Sequence, residues 1–473
     1  MKLAYDIKDK PKFGQLIIFA FQQLLAILAA TIAVPSIVGN GMSQSAALFG
    51  AGVGTIVYLL FTKFRSPVFL GSSFAFIGSM FAAFAGAASA EAGMAGIILG
   101  AIFAGLVYVV IAIVVKVAGV KWIDKLMPAV VIGPTVSIIG LSLAGNAVGD
   151  LSTGKVMMEV TEKVIENDQI VEKVNLVSAA NPYIAILCGL VTLFTVIICS
   201  VYGKKMAKLI PFIIGILAGY IVAAIFTVIG IKTNNISLQI IDFSVFKDMT
   251  IFAVPDFTFL AAAKGLSAIT GKYVATVAVA YVPVAFVVFA EHIADHKNLS
   301  SVVNKELLED PGLHRTLLGD GIGSMAGAFF GGCPNTTYGE SVGCVAITGN
   351  ASIVTILTTA IMAIVISFFG PFVTFLSTIP NCVMGGVCIT LYGFIAVSGL
   401  KMIQKVDLDQ NKNLFVVAVI LICGIGGLTL TFGAVTLTEV ACALILGIIA
   451  NIVLSRKKED APAVEEAVEE IAE

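Results

Sequence analysis

The residues of this chain best suited to chemistry are acids set in apolar surroundings. Glu340 stands in Gly331–Gly349, GGCPNTTYGESVGCVAITG, between two apolar runs. Gly and Pro break a helix there, and Asn335, Thr336, Thr337 and Tyr338 add polar groups. Irregular backbone is tolerated at membrane depth only where protein or a cavity surrounds it, and an acid held there points to function. The stretch is expected to run extended, then as a half-helix, and to meet a small polar substrate.

A second cluster reads Glu291-His292-Ile293-Ala294-Asp295-His296, at the end of the apolar run Val274–Ala290. Glu291 and Asp295 are four apart and share a helix face, and His292 and His296 share the neighbouring register. Ile293 and Ala294 keep this helix in or near the membrane, and a helix running on past Lys297 towards Asn304 would hold Glu291 below the surface. Glu291 is expected to bind substrate or a proton. Asp295 could do the same or be a wet residue at a cytoplasmic helix end, which is the reading preferred for His292 and His296. Asp320, in Gly319-Asp320-Gly321, starts the next segment, either as a partner for Asp295 or as a helix cap. Glu439 reads as an interfacial acid, and Gln22 and Gln23 as hydrogen-bonding groups for substrate or another helix.

The frame that positions these groups is a membrane protein. Of 473 residues, 58% are hydrophobic and only 12% charged, with mean hydropathy +1.02, whereas a soluble chain is about 25% charged. A formal net charge of −2 implies no nucleic-acid partner. The eight cysteines sit singly without metal-ligand spacing, so small-hydrophobe roles are expected, with Cys333 near the key stretch as a cavity candidate. No metal site or cofactor is expected. Neither a nucleophile–base pair nor a zinc pattern stands out, so an enzyme is not expected. The charged start Met1–Lys12 and the long apolar run from Gln15 argue against a cleavable signal peptide.

A crossing takes about 20 apolar residues. Segments are expected near 14–38, 45–62, 66–86, 92–115, 126–148, 181–202, 209–231, 272–296, 316–333, 335–348, 351–379, 382–400, 413–431 and 434–455, fourteen in all. With both termini inside, this places most of the 28 Lys and Arg in cytoplasmic loops, as the positive-inside rule requires. The acidic connection 149–180 is expected outside, as a hairpin or flexible loop, and the Glu/Ala-rich tail 456–473 as a disordered or frayed cytoplasmic end.

Fourteen is two sevens, and an odd repeat inverts its second copy. Segment 3 holds Pro67, then Ser72-Ser73-Phe74, and segment 10 holds Pro334, then Thr336-Thr337-Tyr338. Interrupted segments at matching places in two halves point to a midplane site in an inverted-repeat transporter. Two buried carboxylates suit a nucleobase: they accept from ring N–H groups, while backbone N–H groups at a half-helix start donate to ring carbonyls, and Phe74 or Tyr338 could stack on the ring.

At these residues the chain resembles the nucleobase/ascorbate transporters, and within them the bacterial uracil permeases. The resemblance spans nearly all of it and rests most on LGSSFAFI (Leu70–Ile77), FAEHIADHK (Phe289–Lys297), DPGLHRTLLGDG (Asp310–Gly321) and PNTTYGESVGCVAITG (Pro334–Gly349). It implies an all-α inverted repeat of seven plus seven segments, with short antiparallel strands in segments 3 and 10. It further implies a core of segments 1–4 and 8–11 (14–115 and 272–379) and a gate of segments 5–7 (126–148, 181–231) and 12–14 (382–455). By motif position, Glu291 and Glu340 would hydrogen-bond the base, Phe74 and Tyr338 flank it, and Ser73 and Gly339 add polar or main-chain contacts. Uracil would enter across the inner membrane with a proton, Glu291 being central to coupling, with Asp295 and Asp320 in the relay. Sodium is the alternative ion, xanthine or urate the alternative cargo, and an anion transporter on a similar architecture a more distant reading. A homodimer through the gate is implied by the resemblance alone. The chain departs from the family at Asp295, where some uracil permeases carry His; at Ser341, where the signature usually has Asn; and at Gln22-Gln23, where some members have Gln-His.

Overall fold

A computed structural model describes residues 3–119, 122, 128–166, 169–204, 206–432 and 435–455; the tail 456–473 lies outside them. The described chain is a bundle of helices: α1 (Phe13–Val38), α2 (Gln44–Phe61), α3 (Ile77–Ala85), α4 (Ala90–Ala118), α5 (Ala129–Ser142), α6 (Ala144–Asp150), α7 (Pro182–Tyr202), α8 (Pro211–Lys232), α9 (Thr258–Gly265), α10 (Gly271–Val303), α11 (Leu313–Gly331), α12 (Gly339–Thr348), α13 (Ile353–Ile366), α14 (Gly370–Thr378), α15 (Asn381–Ile403), α16 (Asn411–Ile425) and α17 (Glu439–Leu454). Among the described residues eight helices are long and apolar enough to cross a membrane, and four shorter apolar stretches accompany them.

The two interrupted segments behave as their punctuation requires. Residues 70–72 form strand β1, a 3-10 turn follows at Phe74–Phe76, and only then does α3 begin. Asn335–Thr337 forms a matching strand ahead of α12. These two strands pair antiparallel, Leu70 with Thr337, Gly71 with Thr336 and Ser72 with Asn335, so each satisfies backbone groups that lipid could not.

Around this pair α1, α2, α4, α10, α11, α12 and α13 pack on one another, while α5, α7, α8, α15, α16 and α17 make a second set of mutual contacts. The tightest seam is α2 on α11. A Cβ on Gly54 would lie 2.7 Å from the Gly323 carbonyl oxygen, and one on Gly323 would lie 2.7 Å from that of Gly54. Only glycine allows this approach, and small residues let backbones close where hydrophobic burial gives no driving force between helices.

Several boundaries differ from expectation. The 351–379 segment is two helices, α13 and α14. The 413–431 segment ends as helix at Ile425, and the 434–455 one begins at Glu439, because residues 430–432 and 435–437 form a short hairpin. Its Thr and Val residues are apolar enough to blend into the flanking hydropathy. The 149–180 connection contains a ten-pair antiparallel hairpin, Met157–Glu166 with Gln169–Ser178. The helix carrying Glu291 does run on to Asn304, which caps it in the left-handed conformation.

The N-terminal segment is a strap. Ala4 N–H donates to Gly349 O at 2.8 Å, Ala351 N–H to Tyr5 O at 2.9 Å and Ile353 N–H to Ile7 O at 3.0 Å. Lys305 Nζ donates to both oxygens of Asp6, at 2.8 and 2.6 Å. The strap thus joins the connection after α12 to the one after α10. The Lys305 ammonium holds the Asp6 carboxyl below the usual carboxylate range.

Candidate functional site

The strand pair is fastened from several sides. Thr55 Oγ1 accepts from Leu70 N–H at 2.9 Å. Ser73 N–H donates to Pro334 O at 2.9 Å and Tyr338 N–H to Phe69 O at 3.2 Å. Ser341 Oγ accepts from Phe69 N–H at 3.0 Å and from Gln23 Nε2 at 2.5 Å. Gln23 is therefore a ligand of another helix. The Tyr338 hydroxyl crosses the ribbon to donate to Ser72 O at 2.9 Å, and it can do so because Gly71 has no side chain: a Cβ there would fall within the Tyr338 ring.

A cavity of about 350 Å³ opens against this ribbon. Glu291 and Asp295 reach it from α10, Glu340 from the first turn of α12, and Ser73, Phe74, Tyr338 and Gly339 from the two strand–helix junctions. All six residues expected to bind substrate line this one cavity, as does Asp295. Phe212, Leu391, Phe394 and Met402 close its far side from the second helix set. Phe74 is buried and packs edge-on against Tyr392, ring centres 5.8 Å apart.

The polar character of the cavity is mixed by design of the backbone. Two half-helices start here, and the first N–H groups of a helix have no partner within it and carry its positive dipole end. Against them stand three carboxylates. Thr337 Oγ1 donates to Asp295 Oδ2 at 2.8 Å, while the Ser73 Oγ and Thr336 Oγ1 atoms are buried with no hydrogen-bond partner. Among the described residues no Lys or Arg lines the cavity, and no group of His, Cys, Asp and Glu could hold a metal ion. The arrangement offers acceptors and donors side by side to a flat, neutral polar molecule.

Asp320 is elsewhere. It is neither a partner of Asp295 nor a helix cap: it lies inside α11, 1% exposed, with Oδ2 2.7 Å from His292 Nδ1. Nor are His292 and His296 wet residues of a helix end, since both are completely buried. They take the neighbouring register of α10, turned away from the cavity, against Tyr58 of α2, Tyr108 of α4 and Asp320 of α11. His292 alone reaches both Thr316 and Asp320 of α11, while His296 faces Tyr58. Cys333 is buried but does not line the cavity.

The family model described as Permease family matches residues 14–432. Among curated proteins, the uracil permease of Bacillus caldolyticus is 37% identical over 97% of this chain and 96% of its own. That of Bacillus subtilis (strain 168) is 36% identical over 97% of each, and that of Escherichia coli (strain K12) 31% over 94% of this chain and 92% of its own. Two solved structures share the fold: the transmembrane domain of the cyanobacterial bicarbonate transporter BicA, with TM-score 0.58 and 16% identity over 94% of this chain and all of that one, and the murine anion transporter Slc26a9 in an inward-facing state, with TM-score 0.60 and 12% identity over 95% of this chain and 69% of that one.

Proposed function

The chain belongs to the nucleobase/ascorbate transporter family, and we propose that it imports uracil together with a proton by alternating access. The observation that carries this reading is the meeting of Glu291, Asp295 and Glu340 with two half-helix starts in one cavity. Uracil presents ring N–H donors and carbonyl acceptors on one edge. Glu291 and Glu340 accept from the ring N–H groups, and backbone N–H groups at Gly339 and at the start of the α3 segment donate to the carbonyls. Phe74 and Tyr338 bound the ring, and Ser73 adds a hydroxyl contact.

Fourteen crossings with both termini cytoplasmic, in the inner membrane, complete the reading. The set containing α1–α4 and α10–α13 is the core, and the set containing α5, α7, α8 and α15–α17 is the gate that rocks against it. Because the cavity wall is shared between the sets, relative movement opens or closes the site without dismantling the ribbon. Glu291 couples cargo to the proton, since an acid that is neutral when loaded can cross the dry midplane more cheaply than an anion. An anion cargo is disfavoured: among the described residues three carboxylates and no cation face the cavity, whatever fold is shared with anion carriers.

The test is radiolabelled uracil uptake in cells lacking their own permease, with and without a protonophore, for wild type, Glu291→Gln and Glu340→Gln. Uptake abolished by the protonophore and by either substitution is expected. Xanthine uptake without uracil uptake, surviving Glu340→Gln, moves the cargo to purines and removes Glu340 from the binding set.

A further inference from the structure

Beside the cavity, on the neighbouring register of α10, lies a buried polar network that the binding reading leaves unused. The His296 ring is stacked on that of His292, centres 4.1 Å apart. His296 Nδ1 is 2.8 Å from His292 O. A carbonyl only accepts, so Nδ1 carries hydrogen and Nε2 is left to accept from the Tyr58 hydroxyl at 2.7 Å. Ser66 Oγ lies 2.7 Å from the Tyr58 oxygen and 3.3 Å from His296 Nε2, so both hydroxyls face that acceptor. His296 is thereby fixed as a neutral ring.

His292 is not fixed. Its Nε2 is 3.0 Å from Thr316 Oγ1, and that hydroxyl also lies 3.0 Å from Leu313 O. Thr316 has one hydrogen and two places for it. Turned to the ring, it donates to Nε2, so Nδ1–H donates to an ionised Asp320 and the pair carries one negative charge. Turned to Leu313 O, it leaves its oxygen to accept from Nε2–H. Nδ1 and Oδ2 then hold a further hydrogen between them, and the pair is neutral. No heavy atom has to move between the two states.

We propose that His292 and Asp320 form a second proton-binding site, separate from the carboxylates of the cavity, which stores one proton without net charge. The proton enters at Nε2, the Thr316 hydroxyl turns away to Leu313 O, and the ring passes its Nδ1 hydrogen to Asp320 Oδ2. The loaded pair carries no net charge. A second observation points to the same place. Asp320 Oδ1 and the Tyr108 hydroxyl are both buried without a hydrogen-bond partner, and both residues line a cavity of about 10 Å³ shared with Ser324 and Asn335, close to the space one water needs. A water there links Oδ1 to Tyr108 and gives the proton a step away from the pair. The ionisable and polar groups facing the pair are Tyr108 of α4, Tyr58 of α2, Thr316 and Ser324 of α11, and His296, Glu291 and Asp295 of α10. No cation among them would hold Asp320 ionised.

The role of this site in coupling rests on the proton-symport reading, but the stored proton does not. The full chain has three histidines, so nitrogen resonances of ¹⁵N-histidine-labelled protein in lipid nanodiscs can be assigned by His292→Gln and His314→Gln. Expected at pH 6 is a His292 ring with Nε2–H, changing to the Nδ1–H neutral ring as the pair loses its proton on raising the pH, and independent of pH in Asp320→Asn. A wild-type ring that is Nδ1–H from pH 5 to 9 overturns the proposal. Coupling is read separately in proteoliposomes. Asp320→Asn is expected to keep uracil-dependent thermal stabilisation and to lose at least tenfold in accumulation driven by a pH gradient; accumulation equal to wild type overturns the coupling role. If uracil neither stabilises nor enters with the wild type, the transport reading fails while the nitrogen spectrum still decides the proton.

Discussion

Glu340 sits in the first turn of α12, where replacement by Gln keeps the shape and removes the charge that suits a helix start. Losing one charge-assisted hydrogen bond to the cargo costs about 1.5–3 kcal/mol, so Glu340→Gln is expected to weaken uracil binding roughly 10- to 100-fold. Equilibrium binding to purified protein measures it, and an unchanged Kd would remove this contact. Gly71→Ala acts through Tyr338: the added methyl displaces the ring that bounds the cavity, and binding should fall together with thermal stability, whereas Tyr338→Phe should lose only the bond to Ser72 O, about 1 kcal/mol. The carboxylates of the cavity were legible in the sequence, because an acid amid apolar residues is costly without a role. The pairing of Asp320 with His292 was not, because it needs the rotation of two helices about their axes. Nor was the bond of Gln23 to Ser341. A contact between residues 318 apart leaves no local pattern.

At the scale of elements, Gly and Pro announced both interruptions, and resemblance supplied the strands in them. The strand pair Leu430–Phe432 and Val435–Leu437 escaped because each strand is only three residues long and lies between apolar helices. The α2–α11 seam can be tested directly. Gly323→Leu forces a side chain against the Gly54 carbonyl and the Leu70 side chain, and overpacking of this kind costs about 1–3 kcal/mol or more; the melting temperature in detergent should drop, and an unchanged value would mean the seam is not as close as described. The N-terminal strap makes a milder forecast. Asp6 has its carboxyl lowered by Lys305, so its contribution is present above the ordinary carboxylate pKa and is lost as pH falls through the lowered one. Between pH 5 and 8 strap stability should be flat, and Asp6→Asn should cost under about 1 kcal/mol, as for other exposed pairs. Protection of the Ala351 and Ile353 amides against hydrogen exchange reports it.

For the molecule as a whole, proton symport predicts that uptake follows the proton gradient and not the sodium gradient. Accumulation should collapse with protonophore and be unaffected by exchanging sodium for potassium; sodium dependence would assign the coupling ion otherwise. Composition and charge placement had already set the bundle in the membrane, since 12% charged residues leave no other solvent for it.

The ribbon at the centre also sets a timetable for synthesis. Tyr338 follows Ser72, to which it bonds, by 266 residues. At about 5–20 residues per second, Leu70–Ser72 waits roughly 15 to 50 seconds with one edge unmatched, in a bilayer that provides no substitute partner. The nascent first half must be sheltered for that interval by the insertion machinery or by its own helices. A chain that stops before Asn335 never leaves this state, and it should be a standing target for membrane proteases.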